Sequence, residues 1–228
     1  MRTPESAPIR GVIFDFHATL VDARDPESWI EDAWRHLERP QDAVSTMGSD
    51  DFRTLGRYLD RLWEHAATID PASDRDLSAV LHHDVFTRTM ALRFDDHELN
   101  EALYATMADQ WIAFDDTLPV LKELRARGIR IVLLSNIGLD IRPHLELIHL
   151  AELLDGIVLS FEVGSVKPGP EIFQRALDLL EVPAEAALMV GDSWQADTGG
   201  AALGIRTLVL PRTAGPTHGL DLVLRLVD

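Results

Sequence analysis

Cysteine is absent from all 228 positions of this chain. Its absence excludes disulfide bonds, a thiolate nucleophile and zinc sites built on cysteine. Long apolar runs are missing too, since none approaches the roughly 18–20 residues of a membrane span. The opening segment MRTPESAPIR lacks the apolar stretch of a secretory signal. We therefore expect a cytoplasmic protein that does not associate with membranes.

Positive charge is scarce as well. Lysine and arginine number 21 against 38 aspartate and glutamate residues, which gives a formal net charge of −17. Binding to a nucleic-acid backbone needs a basic face, so the composition argues against a nucleic-acid partner. Only Lys122 and Lys167 are lysine. In a chain so biased to arginine, a lysine among other reactive residues hints that a compact ammonium is needed there.

Reactive side chains stand out in four short segments: VIFDFHATL (12–20), IVLLSN (131–136), SVKPGPEIF (165–173) and LMVGDSWQAD (188–197). Three of them open on the near-continuous apolar run that is typical of parallel strands covered on both faces. Ligands of open α/β sheets bind just beyond the carboxyl ends of such strands. The residues expected to converge there are Asp15, Ser135, Lys167, Asp192 and Asp197.

Several carboxylates, one lysine and one hydroxyl in a shared crevice indicate a divalent cation and a phosphoryl group. Carboxylate oxygens are ligands that Mg²⁺ prefers, and an ammonium neutralises phosphoryl charge. Each residue alone has a plainer interpretation, because aspartates and serines often cap helices and Lys167 could be a solvated loop residue. The convergence of the whole set favours an enzyme.

The order and spacing of these segments resemble the haloacid dehalogenase superfamily of aspartate-nucleophile hydrolases. The residues that match its four motifs, in chain order, are Asp15 with Thr19, Ser135, Lys167 with Pro168, and Gly191-Asp192 with Asp197. The match covers the whole chain. The resemblance implies a Rossmann-like α/β core with a parallel sheet and an inserted all-α cap.

The resemblance also implies a role for each matched residue. Asp15 is the nucleophile that attacks phosphorus to give an aspartyl phosphate. Ser135 and Asn136 hold the phosphoryl oxygens, and Lys167 neutralises their charge. The implied Mg²⁺ ligands are Asp15, the backbone carbonyl of His17, Asp192 and Asp197, the last through water or by holding Lys167.

Position 17 departs from the family motif. The usual second aspartate is His17 here, and the glycine that usually follows is Ala18. In phosphatases of the family that aspartate protonates the leaving group and then activates water, whereas relatives with another chemistry carry a different residue. Histidine can do acid–base work, with an unperturbed pKa of ~6.5. Two interpretations stay open: His17 is the acid and base, or it only shapes the site.

Two hydrophobic patterns divide the chain. Between positions 23 and 114, apolar residues recur at helical spacing, as Ile30, Ala33, Trp34 and Leu37 do. This pattern predicts an inserted helical bundle without strands, and the four tryptophans within it, at positions 29, 34, 63 and 111, are predicted to form its core. Residues 1–22 and 115–228 instead alternate strands and helices, which predicts the parallel sheet. Strands are predicted at 129–134, 156–160, 187–191 and 205–210.

Three functions are compatible with these features. The first is a Mg²⁺-dependent phosphatase of a small phosphorylated metabolite, with the helical insert as a lid. The second is 2-haloacid dehalogenation, a metal-free carbon–halogen hydrolysis. The GDSWQAD segment argues against it, because converging carboxylates without a cation repel one another. The third is a ligand-binding protein that has lost turnover at His17. We expect a small-molecule substrate and a monomer or homodimer.

The identity of the substrate is not readable from the sequence. Arg53, Arg57 and Arg61 fall on one helix face. Such a stripe could face an anion, but a solvated surface is the more common outcome and is the prediction adopted here.

Overall fold

The computed structural model of this chain describes residues 7–39 and 41–227. Residues 1–6, the first part of the opening segment considered above, lie outside that range. The chain separates into two compact units, Met1–Asp22 with Ala113–Asp228 and Ala23–Ile112. They are called the sheet unit and the helical unit below. No helix in the described part of the chain is long and apolar enough to cross a membrane.

Seven strands are present in the described residues, and five of them form one sheet. The strands are β1 Gly11–Phe14, β2 Val21–Ala23, β3 Trp111–Ala113, β4 Arg130–Ser135, β5 Gly156–Leu159, β6 Ala187–Gly191 and β7 Arg206–Val209. The five-stranded sheet has the order β5-β4-β1-β6-β7, and all its pairs are parallel. The predicted Rossmann-like α/β fold is confirmed.

Strand β1 is the centre of the sheet. Its last residue, Phe14, is in register with Leu133 of β4 on one side and Val190 of β6 on the other. The chain segments that follow β1, β4 and β6 therefore leave the sheet side by side, at the same edge. This edge is where the sequence places the reactive residues.

Twelve α-helices lie in the described residues. They are α1 Pro26–His36, α2 Ala43–Met47, α3 Ser49–Leu59, α4 Leu62–Ala66, α5 Ala79–Ala91, α6 His97–Ala105, α7 Thr117–Ala126, α8 Arg142–Leu147, α9 Ser160–Val163, α10 Pro170–Leu180, α11 Trp194–Asp197 and α12 Asp221–Leu224.

Helix α10 shows how the sheet is covered. Pro170 occupies its first turn, where a missing N–H costs nothing. Ile172, Phe173, Ala176 and Leu180 then recur at helical spacing and are fully buried. They pack into one cluster with sheet residues of β1, β4 and β6. Burying the large apolar side chains Ile172, Phe173 and Leu180 contributes roughly 1.5–3 kcal/mol each, so α10 anchors the sheet.

Helix α1 organises the helical unit. Asp25 caps it by accepting a hydrogen bond from the Ser28 N–H at 2.9 Å, and Pro26 takes the first helical position. Its tryptophans are buried as predicted, and the indole of Trp29 donates to the Leu103 carbonyl at 3.0 Å. The indole of Trp34 donates to the Gln41 carbonyl at 2.6 Å. Buried indoles thus keep their single donor satisfied.

Two predictions for the helical segment are wrong. Strand β3 lies inside the range predicted to lack strands, and it pairs with β2 in a two-stranded sheet. Helix α6 ends at Ala105, and the 3-10 turn and strand that follow it keep Met107 and Trp111 buried. Trp63 is 37% exposed rather than part of the core, and its ring instead supports the Arg75 guanidinium at 5.2 Å.

Helix α5 carries a buried histidine, His82, whose side chain contacts α6. The Nδ1 atom of His82 is 3.0 Å from the Tyr104 hydroxyl, and its ring packs against Trp63 at 5.0 Å between centroids. The neighbouring His83 points elsewhere, with Nε2 3.0 Å from Glu101. Burial, with Arg75 and His83 nearby, lowers the pKa of His82 to about 4. His82 is therefore neutral in the folded protein at neutral pH.

This burial predicts an acid-sensitive contribution to stability. Between pH 6.5 and 4 the unfolded chain binds a proton at His82 that the folded chain excludes, so the free energy of unfolding falls as the pH falls. Between pH 7 and pH 5, His82 accounts for a loss of about 2 kcal/mol in the free energy of unfolding. Urea unfolding of wild type and His82→Gln at both pH values measures it: the variant should lose less stability on acidification.

Other groups titrate in the same range, so the test is the difference between the two proteins. The exposed His97, changed to Gln, is the matched control and should behave as wild type. Equal acid losses in His82→Gln and wild type would contradict the assignment.

Candidate active site

Asp15 directly follows β1 and is 8% exposed. Its N–H donates to the Val190 carbonyl at 2.9 Å, which extends the sheet register by one residue and fixes the backbone of Asp15. Burial raises the pKa of Asp15 to about 6; Asp197 adds to the rise and Lys167 opposes it. The carboxylate is thus a partly dehydrated group that needs positive charge nearby.

Lys167 supplies part of that charge. Its Nζ lies 2.7 Å from Asp15 Oδ1 and 2.7 Å from Asp197 Oδ1. The lysine is 5% exposed and Asp197 is fully buried. Burial acts to lower the pKa of Lys167, but the charges of Asp15 and Asp197 outweigh it, so the pKa lies above its ordinary value. The lysine is therefore a fixed cation beside the Asp15 carboxylate.

The backbone of Lys167 is held by Asn136. The side-chain oxygen of Asn136 accepts from the Lys167 N–H at 2.7 Å, and its side-chain nitrogen donates to the Lys167 carbonyl at 3.0 Å. Asn136 follows β4 directly, so the clamp ties the lysine to the sheet edge. The phosphate-binding role that the resemblance implies for Asn136 stays a prediction, and the structure gives the residue this positioning contact.

Asp197 is fixed on its other side as well. Its Oδ2 accepts from the Ser193 N–H at 2.9 Å, so each of its two oxygens has a partner. Position 191 must be glycine for the Asp197 carboxylate to lie here, because a Cβ added to Gly191 would collide with that carboxylate. A Cβ at Gly199 would likewise overlap the backbone of Pro168, next to the lysine. Both glycines permit close approach that any side chain would prevent.

Asp192 completes the acidic group. Carboxylate oxygens of Asp15, Asp192 and Asp197 all lie within 4.8 Å of one another. Asp192 Oδ2 also accepts from Arg212 Nε at 2.6 Å, with the arginine side chain 76% exposed. This hydrogen bond, together with the charge of Asp192, raises the pKa of Arg212. Three carboxylates thus face one ammonium and one guanidinium.

The donor set fits Mg²⁺. The ion prefers hard oxygen ligands and keeps several waters. Asp15 and Asp192 are suited to contact it directly, because both oxygens of Asp197 are already engaged by Lys167 and Ser193. Three carboxylates against one ammonium and one guanidinium leave the site with more negative than positive charge. A bound divalent cation would reverse that imbalance.

The loop after Asp15 carries the other residues of the first motif. Ala18 adopts a left-handed φ of 53°, and its N–H donates to the Val21 carbonyl at 2.7 Å. His17 is half-buried and packs edge-on against Phe16, with 4.8 Å between ring centroids. Thr19 is fully buried, and its hydroxyl has no hydrogen-bond partner among the described residues.

Ser135 is the last residue of β4 and is 1% exposed. Because β4 neighbours β1, its side chain lies at the sheet edge from which Asp15 also emerges. The structure therefore joins Asp15, Lys167, Asp192 and Asp197 by measured contacts, and it places Ser135 at the end of the adjacent strand. The phosphate-binding role of Ser135 remains a prediction.

Arg212 and Ser193 are site residues that sequence reasoning missed. Arg212 follows β7, so the rule that reactive residues stand beyond strand ends could have found it. Ser193 lies within the fourth segment but contributes through its backbone N–H. A backbone donor leaves no signal in residue type, so the sequence alone could not have shown it.

Comparisons with known proteins point to one family of hydrolases. A family model described as haloacid dehalogenase-like hydrolase matches residues 9–204. Ribulose-1,5-bisphosphate 5-phosphatase of Halopiger xanaduensis is 31% identical over 113 residues, 49% of this chain and 47% of the relative. (S)-2-haloacid dehalogenase 1 of a Pseudomonas species is 27% identical over 223 residues, 92% of this chain and 87% of the relative.

Among solved structures, a HAD phosphatase from Thermococcus onnurineus superposes with a TM-score of 0.63 at 20% identity, covering 96% of this chain and 98% of that one. This likeness shows the shared fold. The chain spans about half the length of several curated relatives that it matches. Since the family model covers most of the chain, and its motif residues meet at one sheet edge, the chain belongs to the haloacid dehalogenase-like hydrolases.

Proposed function

We propose that this hydrolase is a Mg²⁺-dependent phosphatase that cleaves a small phosphorylated metabolite through an aspartyl-phosphate intermediate. One observation carries the proposal. Asp15 is a buried carboxylate 2.7 Å from a fixed lysine, and two more carboxylates have oxygens within 4.8 Å of it and of each other. These contacts support a nucleophile, a charge-neutralising group and a cation site around the same atoms.

The proposed reaction has two steps at Asp15. A carboxylate oxygen of Asp15 attacks phosphorus, the bond from phosphorus to the alcohol oxygen breaks, and His17 gives that oxygen a proton. Neutral His17 then takes a proton from water, which attacks the aspartyl phosphate and releases inorganic phosphate and free Asp15. Lys167 and Ser135 hold the phosphoryl oxygens during both steps.

Mg²⁺ would be held by Asp15, the His17 backbone carbonyl and Asp192, and it would supply positive charge that stabilises the transferring phosphoryl group. Asp197 serves this arrangement through Lys167, since it contacts the same ammonium that contacts Asp15. The helical unit is proposed as the cap that selects the substrate, and the protein as a cytoplasmic monomer or homodimer.

A second candidate is carbon–halogen hydrolysis. One of the relatives that the chain matches over most of its length is a 2-haloacid dehalogenase. In that reaction Asp15 attacks carbon and the halide leaves without a proton, so the absence of an aspartate at position 17 is no handicap. The acidic cluster favours the phosphatase, because a metal-free mechanism leaves three carboxylates with only two cationic side chains to balance them. A ligand-binding protein without turnover is the third possibility.

Metal dependence separates these functions. Hydrolysis of p-nitrophenyl phosphate should require millimolar Mg²⁺ and stop in excess EDTA, because the phosphatase needs the cation that the carboxylates bind. The measurement is phosphate release with Mg²⁺ and with EDTA, alongside chloride release from 2-chloropropionate. Chloride release that is unaffected by EDTA would show that the protein is a dehalogenase and not a phosphatase. Absence of turnover of either compound would favour a ligand-binding protein.

Replacing the nucleophile should abolish turnover. Asp15→Asn removes the attacking charge but keeps the size of the side chain, so activity should fall below detection while the circular dichroism spectrum stays unchanged. Asp178→Asn, an exposed change on α10, is the matched control and should retain wild-type activity. Normal turnover in Asp15→Asn would place the nucleophile elsewhere.

If His17 is the general acid, the effect of removing it should depend on the leaving group. Alkyl phosphates need a proton on the departing oxygen, whereas nitrophenolate departs with little help. General acid catalysis typically contributes ~10²–10⁴-fold. We therefore expect His17→Ala to lower kcat/KM for an alkyl phosphate by about that factor and to spare kcat/KM for p-nitrophenyl phosphate, because kcat/KM reports formation of the aspartyl phosphate and not its hydrolysis. The kcat values, which include the base-assisted second step, should fall for both substrates, as measured by steady-state phosphate release.

The complementary variant is His17→Asp, which restores the family motif. If the imidazole is the acid, the aspartate should support a comparable rate with its pH profile shifted to lower pH. Equal losses of kcat/KM on both substrates in His17→Ala would instead indicate that the residue only shapes the site.

A further inference from the structure

An open cavity of about 590 Å³ lies on the helical unit. It is lined by residues of α3 and α4, by the turn that joins these helices, and by Arg93, which follows α5. Its volume is within the range of small-molecule sites. All of its lining residues belong to the helical unit, so it is a feature of that unit alone.

The cavity is basic in an acidic surrounding. Between positions 23 and 112 the sequence has 19 aspartate and glutamate residues against 9 arginines and no lysine. The charged residues that line the cavity reverse this ratio, since three of them are arginines, Arg57, Arg61 and Arg93, and only one is a carboxylate, Asp60. Positive charge is concentrated here although the unit as a whole is negative.

Two of these arginines are not neutralised. Arg53 pairs with Asp50 at 2.6 Å and Arg61 pairs with Glu64 at 2.6 Å, as most arginines of the unit pair with a carboxylate. Arg57 and Arg93 are the exceptions among the described residues of the unit. Arg57 donates only to the Thr54 hydroxyl, at 3.2 Å.

Arg57 and Arg93, the two arginines without a carboxylate partner among the unit's described residues, line the same cavity. The stripe of Arg53, Arg57 and Arg61 considered in the sequence analysis is therefore not the group of arginines that could bind an anion. All three of its members are exposed, as predicted. The pair that matters is Arg57 with Arg93, which the sequence separates and the fold brings together.

Tyr58 forms one wall of the cavity and is held in place by several contacts. The Tyr58 hydroxyl donates to the Thr89 carbonyl at 2.6 Å. The Tyr58 ring stacks on His65, with centroids 4.3 Å apart and an interplanar angle of 11°, and meets Phe94 edge-on at 5.5 Å. A wall fixed in this way loses little conformational freedom on binding, which favours affinity. The exposed part of the Tyr58 ring also offers an apolar surface.

We propose that this cavity binds a small phosphate-bearing anion, with the guanidinium groups of Arg57 and Arg93 as its two cationic contacts. Guanidinium groups match phosphate oxygens through paired, charge-assisted hydrogen bonds. The Tyr58 wall would contact the organic part of a phosphate ester. The site is independent of the proposed phosphatase chemistry, because none of its residues takes part in that reaction.

The test uses the full chain in EDTA with Asp15→Asn, so that no probe is hydrolysed. Inorganic phosphate and phenyl phosphate are titrated separately at constant ionic strength, and the arginine Nε–Hε resonances are followed by NMR. We expect saturable shifts at millimolar ligand in the resonances of Arg57 and Arg93. Arg57→Gln and Arg93→Gln should each weaken binding about tenfold, the value of one lost charge-assisted hydrogen bond.

Arg53→Gln is the matched control. It removes the same charge from the same helix, but from an arginine already paired with Asp50, so binding should stay at the wild-type level. Tighter binding of phenyl phosphate than of inorganic phosphate would identify an organic phosphate as the ligand, and equal binding would identify the phosphate group alone. Absence of shifts at Arg57 and Arg93, or equal weakening by Arg53→Gln, would overturn the proposal.

Discussion

The interaction on which the site depends is the buried contact of the Lys167 ammonium with Asp15 and Asp197. A buried ammonium without a partner costs several kcal/mol, and so does each carboxylate. With the lysine at 2.7 Å from both carboxylates, their repulsion is offset by attraction on each side. These three residues come from the end of β1, the loop before α10 and helix α11. Correct folding of this edge and assembly of the site are therefore one event.

The neighbouring residues follow from that constraint. A lysine held so tightly needs its backbone fixed, and Asn136 fixes both the N–H and the carbonyl of residue 167. The chain must also approach within van der Waals distance at two points, which only Gly191 and Gly199 allow. Asn136, Gly191 and Gly199 are thus required by geometry rather than by chemistry. Substitution of any of them would displace the charges without removing one.

The sequence predicted what depends on apolar pattern and residue type. Strands buried on both faces read as continuous apolar runs, and side chains beyond their ends share an edge in a parallel sheet; Asp15 and Asp192 were found this way. It failed where tertiary contacts override pattern. Trp63 is at a helical core position but is partly exposed and supports the Arg75 guanidinium. The Arg212 pairing depends on a loop whose path has no periodic signal.

The first loop shows how the fold tolerates departures from the family motif. A left-handed φ costs an L-residue roughly 1–2 kcal/mol that glycine avoids, yet Ala18 adopts φ 53°. The turn is held instead by hydrogen bonds, from the Ala18 N–H to the Val21 carbonyl at 2.7 Å and from the Leu20 N–H to the Phe16 carbonyl at 2.9 Å. The backbone that carries Asp15 is therefore formed without the usual glycine. The chemical departure of this chain is then confined to one side chain, the imidazole of His17.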